Sequence, residues 1–226
     1  MVETGALYIL STPLGNLKDI TIRTIEILKT VDCIACEDTR RALKLLNTFD
    51  IHTELLIYNE HTIDKNTPKL LEKLMERKNI ALISDAGMPL IADSGLELVQ
   101  ACYQNGISVR VIPGPSAVVT ALVYAGFATQ HFLFLNFLPR KTSKLIETIQ
   151  QASMLRVPVV CFESPYRLKT TLETLLSLQM PMNICICREM TKMNEEILRG
   201  SLDFVYNQYR NREVIGEITI VLDFIQ

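Results

Sequence analysis

From residue 7 to residue 112, short runs rich in apolar and β-branched residues alternate with longer stretches of helical periodicity, and few folds accommodate that alternation. The spacing predicts strands over 7–11, 33–36, 54–57, 80–84 and 109–112, with helices over 22–29, 40–46, 68–77 and 96–105 between them. Strands that rejoin one sheet through helices run parallel, and a parallel sheet is covered on both faces. A mostly parallel α/β sheet is expected here, with Gly106 ending the last helix in a left-handed cap.

Pro113-Gly114-Pro115 breaks the alternation, because two prolines and a glycine continue neither helix nor strand. We place a boundary there, giving an α/β domain over 1–113 and a second over 117–226. In the second, helices are expected over 117–125, 144–152 and 167–178, and extended segments over 132–135, 157–162 and 182–188. The β-rich end, 217–222, can pair antiparallel with 195–200.

Charge narrows the partners. Lysine and arginine total 23 against 25 acidic residues, a net charge of −2, which excludes a protein that coats nucleic acid non-specifically but not one that reads RNA at a local basic patch. The opening Met1-Val2-Glu3-Thr4-Gly5 has no signal-peptide pattern, and the longest apolar run, 118–128, is too short for a bilayer. The expectation is a cytoplasmic protein, not membrane-bound, whose six cysteines are thiols. Cys33-x-x-Cys36 lies in a β-like run with no matching pair, and His52, His61 and His131 lack ligand spacing, so no metal is expected.

Several segments at strand ends can carry chemistry, since open α/β sheets bind ligands at the carboxyl ends of their strands. Ser11-Thr12-Pro13-Leu14-Gly15-Asn16 reads either as a ligand loop or as a turn into a helix capped by Asp19 or Thr21. Cys36-Glu37-Asp38-Thr39-Arg40-Arg41 sets two carboxylates before two guanidinium groups: a carboxylate can accept a hydroxyl proton and an arginine can fork onto phosphate. Alternatively, Asp38 or Thr39 caps a helix. Tyr58-Asn59-Glu60-His61-Thr62 follows the third strand, and the small-residue loop Ser84-Asp85-Ala86-Gly87-Met88-Pro89-Leu90-Ile91 follows the fourth. In the second half, Arg140, Arg167, Arg188 and Lys192 each follow a predicted strand and, with Arg40, could form one basic face.

Taken in order, Thr12-Pro13-Leu14-Gly15-Asn16-Leu17, Glu37-Asp38-Thr39-Arg40, Ser84-Asp85-Ala86-Gly87, Pro113-Gly114-Pro115-Ser116-Ala117, Phe137-Leu138-Pro139, Glu163-Ser164-Pro165-Tyr166-Arg167, Arg188-Glu189-Met190-Thr191-Lys192 and Gly216-Glu217 resemble the tetrapyrrole methylase superfamily across nearly the whole chain. They are most similar to its ribosomal RNA branch, which 2′-O-methylates a cytidine ribose of small-subunit RNA. The resemblance implies two α/β domains with S-adenosylmethionine in an interdomain cleft, a homodimer, and small-subunit ribosomal RNA or the assembled subunit as partner. It assigns the cofactor to Pro13, Ala86, Gly87, Met88, Ile91, Ser116, Ala117, Glu163 and Met190. The acting carboxylate falls to Glu37 or Asp38, with Glu60 a third candidate at the same edge, and the substrate to Arg40, Asn59, Arg140, Arg167, Arg188 and Lys192. The chain departs from the pattern at Met88, Ser94, Asn136 and Ile215, where threonine, proline, glycine and a basic residue are expected. Methylation of a tetrapyrrole-like or other small substrate, or a non-catalytic role in ribosome assembly, are the competing readings.

Overall fold

The computed structural model describes residues 3–225. The chain divides into two compact units, the first ending at Ser116 and the second beginning at Ala117.

In the first unit, β1 (Ala6–Leu10), β2 (Cys33–Cys36), β3 (Glu54–Ile57), β4 (Ile80–Ile83) and β5 (Ser108–Ile112) form one sheet in the order β3-β2-β4-β1-β5. Every neighbouring pair is parallel. The crossovers are α1 (Ile22–Thr30), α2 (Thr39–Thr48), α3 (Ile63–Met75) and α4 (Leu96–Gln104). Side chains alternate across the strands. Leu7, Ile9, Cys33, Ala35, Ile80 and Leu82 join a core with Leu70 and Leu74 of α3 and Leu98 and Cys102 of α4. The intervening Leu10, Ile34, Cys36, Ala81 and Ile83 pack with Leu28 of α1 and Ala42 and Leu46 of α2. Burial on both faces is why these strands read as apolar runs.

The helix expected from residue 68 starts earlier, at Ile63, and carries Pro68 inside it. Asn66 anchors that extra turn, since its side-chain amide donates to the Ile57 carbonyl at 2.7 Å.

The strand order fixes where a ligand can enter. From β2 the chain crosses outward to β3, whereas from the adjacent β4 it crosses the other way to β5. Connections diverging from adjacent parallel strands open a crevice at their carboxyl ends. In this unit that point lies between β2 and β4, with the end of β1 on the other side of β4.

The second unit contains α5 (Ala117–Ala125), β6 (Leu133–Phe137), α6 (Thr142–Ser153), β7 (Val159–Glu163), α7 (Leu168–Ser177), β8 (Met182–Arg188), β9 (Glu196–Ser201), α8 (Leu202–Tyr209) and β10 (Ile218–Phe224). Its sheet has the order β6-β7-β10-β8-β9, with β6 parallel to β7 and the other pairs antiparallel. Helices α6, α7 and α8 pack on one face and α5 on the other. The pairing expected between the 195–200 segment and the chain end does not form: β9 pairs with β8. Ile220, Val221 and Leu222 of β10 are fully buried and take a central place, while β9, with Arg199 and Ser201 exposed, takes the edge. Helix α8 lies outside the expected elements, although Ser201 caps it and Leu202, Val205 and Tyr209 lie on its buried side.

All six cysteines are free and buried. Burial pushes the Cys33 thiol to about 11 and the Cys36 thiol to about 12, far from the reactive thiolate form. Among the described residues no helix is long and apolar enough to cross a membrane.

Candidate active site

The loops after β1 and β4, which are neighbours in the sheet, meet beside that point. Thr12 N–H donates to the Gly87 carbonyl at 2.9 Å, and Gly87 N–H returns a bond to the Thr12 carbonyl at 3.0 Å. The Thr12 hydroxyl donates to the Ser84 carbonyl at 3.1 Å, and the Ser84 hydroxyl to the Gly87 carbonyl at 3.1 Å. From the next loop, the Pro115 carbonyl accepts from the Ser11 hydroxyl. Gly114 permits this approach, because a Cβ there would lie 2.8 Å from Ser11 Cβ.

Within this framework Pro13 is buried and Ala86 half-buried. Gly87 is buried at φ +84°, and a Cβ on it would meet Leu14 Cδ2 at 3.3 Å. Its glycine is set by backbone conformation and by packing on Leu14. Met88 packs against the first unit's core, and Ile91 is partly exposed, with its N–H on the Met88 carbonyl at 3.3 Å. Ser116 closes the unit half-buried, and Ala117, also half-buried, opens α5.

The three candidate carboxylates fall into different environments. Asp38 is the N-cap of α2, accepting from Arg40 N–H at 2.8 Å, and it also receives the Arg40 Nε and Nη2 at 3.1 and 2.7 Å. Those bonds from the Arg40 side chain and backbone hold it at about 2. Glu60 is exposed, with His61 Nε2 at 3.4 Å. Glu37 is half-buried, and its Oε1 accepts from Ser94 N–H at 3.1 Å. Burial raises its pKa, Ser94 opposes the rise, Asp85 and Glu60 reinforce it, and Arg41 opposes it. Asn59 braces the same turn, its amide reaching the Glu37 carbonyl at 3.3 Å and its Oδ1 accepting from His61 N–H at 3.2 Å. Arg41 reaches Asp85 at 3.1 Å, joining α2 to the β4 loop.

Sequence reasoning singled out Glu37 but missed its partner. Ser94 stands where proline was expected, and proline has no N–H to donate. A bond made by a backbone amide leaves no mark in residue type.

In the second unit several of the expected site residues have partners within the unit. Glu163, 2% exposed, accepts from Ser164 N–H at 2.7 Å and from the Thr171 hydroxyl at 2.6 Å. Both its oxygens are engaged within the unit. Met190, at 8% exposure, is part of the core beneath α5. Arg167 donates to the Leu138 and Pro139 carbonyls at 3.0 and 2.8 Å, tying the β6 and β7 loops together. Arg188 is buried and reaches Glu196 at 2.8 Å, Ile215 O at 3.2 Å and Asn194 O at 3.3 Å. Lys192 bridges Glu189 and Glu217, each at 2.9 Å. Of the five bases expected on one face, these three are engaged by partners within the unit, while Arg40, its side chain 87% exposed, pairs with Asp38. Arg140 is exposed, beside exposed Lys141.

Asn136 stands where glycine was expected, at φ +58°. Asparagine tolerates that left-handed conformation better than most residues, so the departure keeps the turn.

Comparison with known proteins places this geometry in context. The family model for tetrapyrrole (corrin/porphyrin) methylases matches residues 6–205. A Halalkalibacterium halodurans protein named ribosomal RNA small subunit methyltransferase I is 42% identical over 98% of this chain and 76% of its own length. The Thermotoga maritima protein of that name is 41% identical over 96% of this chain and 98% of its own length. Among solved structures, diphthine synthase covers 97% of this chain and 90% of its own, with a TM-score of 0.77 at 15% identity. The cobalamin biosynthetic enzyme cobalt precorrin-4 methyltransferase covers 96% and 94%, with a TM-score of 0.70 at 16% identity.

Proposed function

The chain belongs to the tetrapyrrole (corrin/porphyrin) methylase family, whose methyl donor is S-adenosylmethionine, and from that premise we propose that it methylates the 2′-hydroxyl of a cytidine in small-subunit ribosomal RNA. Two relatives that share about two-fifths of its residues over nearly its full length carry the name of a small-subunit ribosomal RNA methyltransferase. That likeness is the observation that carries the RNA substrate. We take the protein to act in the cytoplasm, as its sequence pattern leads us to expect, and as a homodimer, as the resemblance implies.

The residues of the β1 and β4 loops suit this donor. Small or apolar side chains at Pro13, Ala86 and Gly87 let main-chain groups approach a folded nucleoside, while Glu37, Asp85 and Asp93 give the same edge an acidic character suited to a sulfonium cation. S-adenosylmethionine supplies an electrophilic methyl group. Pro13, Ala86, Gly87, Met88, Ile91 and Ser116 would hold and orient it. Main-chain bonding of Thr12 to Gly87 keeps two of those loops in register, which limits the reorganisation required at the reacting centre.

A neutral ribose hydroxyl is a poor nucleophile, so a base that takes its proton as the oxygen–carbon bond forms contributes about 10²- to 10⁴-fold. Glu37 fits that task best. Burial makes it a stronger base than a solvated carboxylate, whereas Asp38 is held by Arg40 and Glu60 lies in solvent. Arg140 and its neighbour Lys141, both exposed, are suited to phosphate.

The reading is tested by offering the purified protein labelled S-adenosylmethionine with small subunits, free small-subunit RNA and a corrinoid precursor. Label is expected in RNA or subunits. Label in the corrinoid alone would reassign the substrate, and cofactor binding without transfer to any of the three would favour an assembly role.

A further inference from the structure

Glu37 leaves β2 at the carboxyl edge, and Ser94 lies in the loop between β4 and α4, 57 residues further along the chain. The one bond between them, Ser94 N–H to Glu37 Oε1 at 3.1 Å, crosses from one loop to the other. Its loop has a fixed shape: Leu90, Ala92 and Gly95 adopt φ of +70°, +73° and +138°. A Cβ on Gly95 would lie 2.6 Å from Leu82 and 2.9 Å from Leu90 side-chain atoms. The amide is therefore presented by a loop packed on its own strand, and it meets a half-buried carboxylate.

We propose that the backbone amide of Ser94 is a positioning group for the reaction, holding Glu37 ionised and aimed at the substrate hydroxyl. This rests on the reading of Glu37 as the base. A buried carboxylate without a donor gains a proton at higher pH and turns freely about its side-chain torsions. An N–H on one oxygen favours the charged form and fixes that oxygen, leaving Oε2 to face the substrate. The charged groups that act on Glu37 are Asp85 on the β4 loop, Arg41 on α2 and Glu60 on the β3 loop; Asp38 beside it is paired with Arg40, and Asp93 precedes Ser94 in its loop. Asp85 and Glu60 both push Glu37 towards protonation. Ser94 is what offsets them most strongly, ahead of Arg41.

Two substitutions separate the amide from the side chain. Ser94→Ala keeps the N–H, and Ser94→Pro removes it. In single-turnover methylation, Ser94→Pro is expected to move the acid limb of the pH–rate profile upward by about one pH unit, the scale of a hydrogen bond to a charged group, while Ser94→Ala follows the wild type. If both variants shift equally, or neither shifts, the positioning role is overturned. A measurement on the unaltered protein guards against a Ser94→Pro chain that does not fold. The Ser94 amide proton resonance should titrate with Glu37 and become flat in Glu37→Gln. An amide that does not titrate in the wild type would also overturn the proposal. A wild-type rate for Glu37→Gln would instead refute the base assignment, and the amide titration would still report whether the bond exists.

Discussion

Thr12 and Gly87 exchange both of their backbone hydrogen bonds, at 2.9 and 3.0 Å, although they follow different strands of the first sheet. The loops after β1 and β4 thus behave as one piece. Gly87 holds that piece at φ +84°, a conformation that costs a side-chain-bearing residue about 1–3 kcal/mol.

Gly87→Ala is therefore expected to lower the thermal midpoint by roughly 5 °C or more and to weaken S-adenosylmethionine binding through the distorted loop. Ala86→Leu, at a half-buried position beside it, should leave the midpoint nearly unchanged and weaken binding by occupying the approach. Calorimetry of both variants checks this pair. Unchanged cofactor affinity in Ala86→Leu would remove the β4 loop from the site.

Glu37→Gln retains shape and hydrogen-bonding capacity but loses basicity. Single-turnover methylation should fall by about 10²-fold or more, with cofactor affinity close to wild type. A wild-type rate would mean that orientation alone suffices.

RNA binding is expected to depend on Arg140 and Lys141. Replacing both by glutamate should weaken substrate binding, reduce the salt dependence by roughly one unit of slope for each phosphate no longer neutralised, and leave cofactor binding intact. A salt slope equal to wild type would exclude the pair from the RNA surface. Arg167 is a poor probe, because charge reversal there would break its bonds to the Leu138 and Pro139 carbonyls.

Glu196 makes a different, pH-dependent prediction. The Arg212 fork, at 2.6 and 2.8 Å, together with Arg188 holds its carboxyl at about 2. Because this value is depressed below the ordinary 4.5, the stabilisation is complete above about 4.5 and is lost as pH falls towards 2. Glu196→Gln should lower the thermal midpoint at neutral pH by roughly 5 °C, since it leaves buried Arg188 without its anion. Near pH 3 the difference from wild type should narrow, and an equal difference at both pH values would contradict the assignment.

Much of the fold was legible because parallel strands buried on both faces must be apolar throughout, and residues 33–36 and 80–84 can be little else. The crevice loops were legible for a related reason: Pro13, Ala86 and Gly87 are small or rigid where a backbone must approach closely. What charge alone could not reveal was the partner. Arg188 and Lys192 carry the residue types of a phosphate site, yet they clamp loops inside the second unit. The pairing of β9 was not legible because the strand neighbour depends on which strand is apolar enough to be central, a competition that no single segment displays. Ser94 was invisible as a partner of Glu37 because its contribution is an amide common to nearly every residue.

The ribose assignment is read by mass mapping of small-subunit RNA after incubation with the enzyme and isotopically labelled S-adenosylmethionine, followed by complete nuclease digestion. The expected product is one labelled 2′-O-methylcytidine, absent when Glu37→Gln is used in a single turnover of matched duration. Label on a base, on a nucleoside other than cytidine, or in no RNA fragment at all would contradict the proposed reaction.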